Sequence, residues 1–188
     1  MSQRFTRIET PIAGLYRIER KPMGDARGFL TRFYCRQEFA QLGLDMPIAQ
    51  MNHTLTQKKG AVRGLHFQYP PHSEVKLVSC MLGEIWDVAV DLRRDSPTFL
   101  QWHAERLSGD NQAALYIPKG CAHGFQTISE NCQLLYLHSE PYHPEAEGAL
   151  NPNEPKLAIS WPLPIAELSE RDRNHALLDT NFTGIETR

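Results

Sequence analysis

Two histidine-containing segments carry the residues with the clearest potential for chemistry. One covers residues 60–68 and includes His66, with Lys76 eight residues further on, and the other covers residues 118–125 and includes His123. A histidine titrates near neutral pH, so it can accept and release protons at working pH. A buried ammonium beside neutral imidazoles favours an anion, such as a phosphate or an enolate oxygen that forms during a reaction.

The two segments resemble the paired motifs of the cupin superfamily. In metal-binding cupins the first motif carries two histidines and a glutamate, and the second carries another histidine. Here His66 and His123 are kept, but Gln68 takes the second histidine position and Lys76 takes the glutamate position. A lysine cannot ligate a divalent ion, and its charge opposes one. The sequence therefore predicts no metal and no cofactor.

Two arginines are further candidates for anion binding. Arg63 lies three residues before His66. On a regular strand these two side chains point to opposite faces unless a bulge intervenes. Arg27, in the turn-rich segment 22–28, offers a fork-shaped donor for a phosphate. The alternative for such cations is an ordinary charge on the surface.

Short apolar segments separated by turn residues surround these motifs, as an all-β sandwich or barrel requires. We predict a short helix at 36–43, an extended stretch at 152–164, and a helix at 170–178 that Ser169 caps. The fold class is therefore mainly β: a cupin jelly-roll β-barrel with a few short peripheral helices, in one domain over residues 1–188. The predicted strands lie near 12–19, 29–34, 47–53, 61–68, 75–82, 84–92, 97–106, 113–117, 122–129 and 132–139.

The strand at 84–92 carries two carboxylates whose meaning depends on the face that they occupy. Its alternation places Asp87 and Asp91 on one face and Trp86, Val88 and Val90 on the other. Carboxylates on the inner face of a barrel indicate function, whereas on the outer face they are solvated or cap turns. We favour the second interpretation.

Composition excludes several classes of function. The 188 residues have a formal net charge of −2, which gives no electrostatic reason to expect nucleic acid or an anionic membrane as a partner. No apolar run approaches the roughly 20 residues that span a bilayer. The N-terminus has no apolar signal core, so we expect a cytoplasmic location.

The four cysteines, at positions 35, 80, 121 and 132, form no CxxC pair. We expect buried free thiols that act as small hydrophobic side chains. Cys121 stands near His123, which raises the alternative of a Cys–His nucleophile, but nothing else in the sequence suggests acyl transfer.

The chain resembles the dTDP-4-dehydrorhamnose 3,5-epimerase family through motifs that follow the family's order over residues 24–172. They include GDARGF at 24–29, VRGLHFQ at 62–68, KLV at 76–78, GEIWDVAVDLR at 83–93, IPKGCAHGF at 117–125 and LSERD at 168–172. The resemblance implies an isomerase of deoxysugar biosynthesis. Its substrate is a nucleotide-diphospho-4-keto-6-deoxy-hexose, and it inverts C3, C5 or both by exchanging protons alpha to the ketone.

The resemblance also implies roles for individual residues. His66 is the base, Asp172 its carboxylate partner and Tyr136 the acid that returns a proton on the opposite ring face. Lys76 lies by the enolate oxygen. Further substrate contacts are His123, Arg27, Gln50, Asn52, Arg63, Glu147, Arg171 and Tyr142, the last stacking on the nucleotide base. Members of the family are homodimers, so we expect the N-terminal segment, about residues 1–35, to pack on the partner subunit.

Departures from the family pattern cluster at the end that binds the nucleotide. Arg32 replaces a glutamate, Met23 replaces an aromatic residue, Leu30 follows Phe29 where a second phenylalanine is usual, and the chain differs around Pro152. We therefore expect the same reaction, with a nucleotide that can differ from dTDP. The alternatives are a non-catalytic cupin that binds a nucleotide sugar, a 3,4-ketoisomerase and, opposed by Gln68 and Lys76, a metal-dependent cupin oxygenase.

Overall fold

The structure, a computed structural model, describes residues 4–187. Residues 1–3 and 188, which belong to the predicted N-terminal segment and tail, lie outside the described residues. The strands are β1 Phe5–Glu9, β2 Tyr16–Arg20, β3 Met23–Asp25, β4 Gly28–Leu30, β5 Gln50–Thr56, β6 Val62–Gln68, β7 Lys76–Leu82, β8 Glu84–Asp91, β9 Trp102–Ser108, β10 Ala114–Ile117, β11 Cys121–Thr127, β12 Cys132–His138 and β13 Glu147–Ala149. The helices are α1 Arg36–Gln41 and α2 Glu170–Arg173, with one 3₁₀ turn at Pro144–Ala146.

Two antiparallel sheets share the central core. The first sheet has the order β1-β2-β10-β7-β12-β5, and the second has the order β13-β6-β11-β8-β9. Val78 and Leu134 from the first sheet pack with Ile85, Ala89 and Phe125 from the second. Removing these side chains from water stabilises the stacked arrangement. The prediction of a mainly β fold is confirmed, and the described strands form two facing sheets and a separate hairpin rather than one closed ring.

The outer face of the first sheet is partly covered. The helix α1 places Phe39 against Phe5, Leu77 and Leu137, all of them buried. Strands β1 and β2 belong to the chain's own first sheet. The contact with a partner stays a prediction, and it concerns the hairpin β3–β4, whose residues are exposed. Among the described residues, no helix is long and apolar enough to cross a membrane.

The predicted elements exist, and their bounds differ for identifiable reasons. Each of the ten predicted strands overlaps an observed one, whereas β1, β3 and β13 were not predicted. The helix at 170–178 begins after Ser169 as predicted but ends at Arg173. The amide Nδ2 of Asn151 donates to the carbonyl oxygens of Arg173 and His175, at 3.2 and 2.9 Å. These carbonyls are thus satisfied by a distant residue instead of by a longer helix.

Candidate active site

A cavity of about 910 Å³ opens between the two sheets and α2. The polar side chains that line it include Arg63, His66 and His123 from the second sheet. They also include Asn52, Tyr136 and His138 from the first sheet, and Arg171 and Asp172 from α2. The structure therefore brings together most of the side chains that the sequence nominated, and it adds His138.

His66 and Asp172 form a close pair. The imidazole Nε2 lies 2.8 Å from Asp172 Oδ1, and Asp172 Oδ2 accepts a hydrogen bond from the Gly64 amide at 3.4 Å. The Ser169 hydroxyl accepts from the Asp172 amide at 3.0 Å, which fixes the carboxylate in the first turn of α2. Burial raises the pKa of Asp172, but the bond with His66 and the charge of His66 outweigh it, so the pKa lies below its ordinary value. An ionised partner at Nε2 favours a proton there and leaves Nδ1 of His66 able to accept one.

A second imidazole–carboxylate pair lies deeper. His123 Nε2 is 2.7 Å from Asp87 Oδ1, and both side chains are buried. Burial raises the pKa of Asp87, and the neighbouring His123 only partly opposes that rise. The solvated or turn-capping interpretation is therefore wrong for Asp87, which faces inward. It is correct for Asp91, whose carboxylate accepts from Arg93, Ser96 and Thr98 in the following turn.

Tyr136 lies across the cavity from the second sheet. Its ring centroid is 6.0 Å from that of His123, in an edge-to-face arrangement. Burial, and then the charge of Asp87, raise the pKa of Tyr136 well above its ordinary value. The phenol is therefore protonated at neutral pH and can donate a proton.

A bulge in β6 brings Arg63 and His66 to the same cavity. His66 pairs with His123 across the sheet and Arg63 pairs with Phe125, so two residues of β6 oppose the single Gly124. Gly64 has a φ of +123°, and a Cβ there would lie 2.5 Å from Gly124 Cα. Only glycine fits this crossing without moving the backbone. The bulge that the sequence analysis allowed between Arg63 and His66 is therefore present.

The two residues that replace cupin metal ligands are engaged in other contacts. The Gln68 amide donates to the carbonyl oxygens of His72 and Pro141 and accepts from the His143 amide. Lys76 is 7% exposed, donates to the His66 carbonyl oxygen at 3.1 Å and lies 3.2 Å from Glu74 Oε1. Its side chain thus stands behind His66 and is not part of the cavity lining given above.

Two groups within residues 4–187 bring metal-ligating atoms within 4.8 Å of one another: His66, Asp172 and His175, and His72, His143 and Glu145. In the first group the Arg171 guanidinium lies 3.1 Å from His66 Nε2, where it opposes a cation. In the second the two rings are stacked with centroids 3.6 Å apart and an interplanar angle of 22°, so their lone pairs lie in two nearly parallel planes instead of one shared plane. Neither group suits a divalent ion without rearrangement.

Five of the predicted binding residues form a connected chain at the cavity. Arg171 and the Tyr142 hydroxyl both donate to Glu147 Oε2, at 3.2 and 3.0 Å. The Tyr142 amide donates to Gln50 Oε1 at 3.0 Å. Gln50 then donates to Asn52, which itself lines the cavity.

Arg27 is not brought to this cavity. Its side chain is 90% exposed and pairs with Asp25 in the hairpin β3–β4. Two of the departures from the family pattern, Met23 and Leu30, are exposed on the same hairpin. Arg32 pairs with Glu38 at 2.6 Å.

Cys121 is buried in the core cluster, and burial raises the pKa of its thiol to about 12. A thiol that stays protonated at neutral pH is a poor nucleophile, which argues against the Cys–His alternative. All four cysteines are free, and all but the partly buried Cys35 are buried.

Sequence reasoning missed Asp87, His138 and Glu74. Asp87 was recognised but assigned to the outer face, because strand alternation groups it with Asp91 without showing which face turns inward. His138 and Glu74 belong to no motif, and their contact joins segments 64 residues apart.

Known proteins resemble this chain over most of its length. The family model described as dTDP-4-dehydrorhamnose 3,5-epimerase matches residues 9–180. The dTDP-4-dehydrorhamnose 3,5-epimerase of Salmonella typhimurium is 43% identical over 174 residues, 92% of this chain and 94% of that protein. The dTDP-4-dehydrorhamnose 3-epimerase of Streptomyces niveus is 38% identical over 168 residues, which are 89% of this chain and 81% of that protein.

A solved structure shares the whole fold. The dTDP-6-deoxy-D-glucose-3,5-epimerase of Legionella pneumophila Philadelphia 1, in complex with dTDP-4-keto-L-rhamnose, has a TM-score of 0.90 and 38% identity, and the match covers 98% of this chain and 99% of that one. With a family model over most of the chain and relatives near 40% identity, this chain belongs to the dTDP-4-dehydrorhamnose 3,5-epimerase family.

Proposed function

We propose that the protein epimerises a nucleotide-diphospho-4-keto-6-deoxy-hexose at C3, C5 or both, by removing and returning protons alpha to the 4-keto group. The observation that carries the proposal is the placement of a base and an acid on opposite walls of one cavity. His66, backed by Asp172, comes from the second sheet, and Tyr136 comes from the first.

Inversion of a ring carbon needs one catalytic group on each of these two walls. A base on one face of the sugar removes the proton, and an acid on the other face returns one. In the proposed reaction Nδ1 of His66 accepts the proton while Asp172 stabilises the resulting imidazolium. The protonated phenol of Tyr136 supplies the new proton.

The enolate intermediate needs positive charge or hydrogen-bond donors near its oxygen. His123 is the proposed donor, because it lines the cavity in register with His66. Lys76 lies on the His66 carbonyl oxygen, outside the lining, and is proposed to add positive charge from there. Asp87 orients His123 and Glu74 orients Lys76.

Binding of the nucleotide is assigned to the remaining predicted residues. Arg63 and Arg171 offer guanidinium groups for the diphosphate, and Tyr142 offers an exposed ring for the base. We also propose a cytoplasmic homodimer in which the hairpin β3–β4 brings Arg27 to the partner's cavity. The full exposure of this hairpin in a single chain supports the idea.

The direct test is exchange of solvent deuterium into dTDP-, CDP-, UDP- and GDP-linked 4-keto-6-deoxy sugars, followed by NMR. We expect deuterium at C3, C5 or both, and the panel identifies the nucleotide that the protein accepts. A strong and unique preference for dTDP would contradict the expectation of an altered nucleotide.

Two variants test the assigned roles. His66→Ala should abolish exchange, whereas Tyr136→Phe should reduce epimerisation more than the initial exchange, because abstraction does not need the acid. Wild-type exchange rates in His66→Ala would refute the base assignment. Binding without exchange in the wild type favours a non-catalytic sugar-nucleotide protein, and a product with a shifted ketone favours a ketoisomerase.

A further inference from the structure

His138 lines the cavity but has no role in the reaction proposed above. It lies two residues after Tyr136 on β12, so both side chains project from the inner face of the first sheet. Their rings stack with centroids 6.1 Å apart and an interplanar angle of 23°. His138 is thus an imidazole placed beside the proposed acid.

Glu74 holds this imidazole from behind. Glu74 Oε2 lies 2.6 Å from His138 Nδ1, and its other oxygen lies 3.2 Å from Lys76 Nζ. The carboxylate is only 9% exposed. Burial alone raises the pKa of Glu74, but the contacts with His138 and Lys76 outweigh it and lower the pKa below its ordinary value. Glu74 is therefore an anion at neutral pH and is shared between two cationic or proton-carrying groups.

A carboxylate at Nδ1 fixes a proton there and leaves Nε2 for the cavity. In the structure Nε2 lies 3.4 Å from the amide Nδ2 of Asn52, a group that can only donate. Nε2 therefore accepts in this arrangement. An imidazole that lies between Glu74 and a phosphate oxygen presents an N–H group to each and donates from Nε2.

Other titratable and charged groups also surround the part of the cavity near His138. Tyr136 belongs to the same sheet, and Lys76 lies outside the lining, on Glu74. Across the cavity lie Arg63, Arg171, the exposed Glu167 and the pairs His66–Asp172 and His123–Asp87. Both arginines are permanent cations, and each buried carboxylate is already paired with an imidazole or an ammonium. The space near His138 therefore favours an anion rather than a neutral hydroxyl.

We propose that His138 is a substrate-binding residue that donates from Nε2 to the diphosphate of the nucleotide sugar, and that Glu74 is the residue that positions it. This rests on the proposed function only in taking a nucleoside diphosphate as part of the ligand. Glu74 also holds Lys76, so one carboxylate orients a group for binding and a group for the enolate.

Calorimetric titration with dTDP, CDP, UDP and GDP tests the proposal without any turnover. His138→Gln should weaken binding of the preferred diphosphate by about tenfold at pH 6.5, the loss of one charge-assisted hydrogen bond. In turnover the same variant should raise KM and leave kcat within about twofold of wild type.

His53→Gln is the matched control. His53 lies on the neighbouring strand β5, is exposed, and its Nε2 contacts Gln133 at 3.1 Å instead of lining the cavity. This variant should bind the diphosphates like the wild type.

Glu74→Gln tests the positioning role. It keeps the shape of the side chain but removes the charge, so diphosphate binding should weaken in the same direction. The ¹⁵N resonances of the His138 ring should report a proton on Nδ1 in the wild type and a mixture of both tautomers in the variant. A purely structural role for Glu74 would leave the tautomer unchanged.

Three outcomes overturn the proposal: equal diphosphate affinity in wild type and His138→Gln, a lower kcat at unchanged affinity, or no binding of any of the four diphosphates by the wild type. Failure of the proposed epimerase function would appear separately, as a wild type that binds a diphosphate but incorporates no deuterium.

Discussion

At the scale of single residues, Asp87 shows how a site can oppose the stability of the fold that holds it. Its carboxylate is fully buried, and the pKa is raised by burial. An acid whose pKa is higher in the folded than in the unfolded protein costs stability as the pH rises above the unfolded pKa, and the loss is complete once the pH exceeds the folded pKa. Below the unfolded value, about 3.9, both states are protonated and the effect vanishes.

We therefore predict that Asp87→Asn is more stable than the wild type at pH 8. Asparagine keeps an oxygen that can accept from His123, but it removes the buried charge. The gain in the free energy of unfolding should shrink as the pH is lowered toward about 4. Urea unfolding followed by circular dichroism across this range measures it.

The same variant should lose activity, because the carboxylate that orients His123 is gone. Asp91→Asn is a useful comparison: the pKa of Asp91 is lowered, since its hydrogen bonds with Arg93, Ser96 and Thr98 outweigh burial. It should therefore destabilise the protein at pH 8. A loss of stability in Asp87→Asn at pH 8 would contradict the burial argument.

At the scale of elements, the bulge in β6 decides which side chains reach the cavity. Gly64 crosses Gly124 so closely that a Cβ would lie 2.5 Å from Gly124 Cα and 2.8 Å from the His123 carbonyl oxygen. We predict that Gly64→Ala lowers the free energy of unfolding by about 1–3 kcal/mol, the usual range for backbone strain. It should also lower kcat/KM by more than tenfold, because Arg63 and His66 no longer share a wall.

Gly43→Ala is the control that separates the effect of backbone strain from the effect of the bulge on the site. Gly43 also has a positive φ, +74°, but its Cβ would meet only the end of the Arg7 side chain, 3.3 Å away. This variant should lose some stability and keep its kcat/KM. Equal kinetic effects in both variants, measured at matched folded fractions, would show that the bulge does not position the site.

The sequence predicts elements better than it predicts the faces that they present. The strands around His66 and His123 follow from local patterns, and the resemblance to the paired cupin motifs implied that they meet. Strand periodicity grouped Asp87 with Asp91 but could not say that the face turns inward. The shortened α2 depends on Asn151, and the His138–Glu74 contact joins segments 64 residues apart. Such long-range contacts leave no local pattern in the sequence.

At the scale of the whole molecule, the exposed hairpin β3–β4 predicts a cavity completed by a second chain. It exposes Met23, Phe29 and Leu30, and the Arg27 side chain is 90% exposed and outside the cavity lining. If Arg27 serves the partner, Arg27→Ala and His66→Ala disable different parts of the same site. A mixed dimer of the two variants then contains one intact site and one with both defects.

Mixing the two purified variants after a cycle of dissociation should therefore restore activity. Random exchange makes about half of the dimers mixed, each with one working site of two, so about a quarter of wild-type activity is expected. Arg63→Ala mixed with His66→Ala is the matched control, because both residues line the cavity of one chain and no pairing of these subunits rebuilds a site. Recovery in the first mixture alone assigns Arg27 to the partner's cavity. No recovery in either, with mixed dimers demonstrated by mass, places Arg27 at its own chain's site or at none.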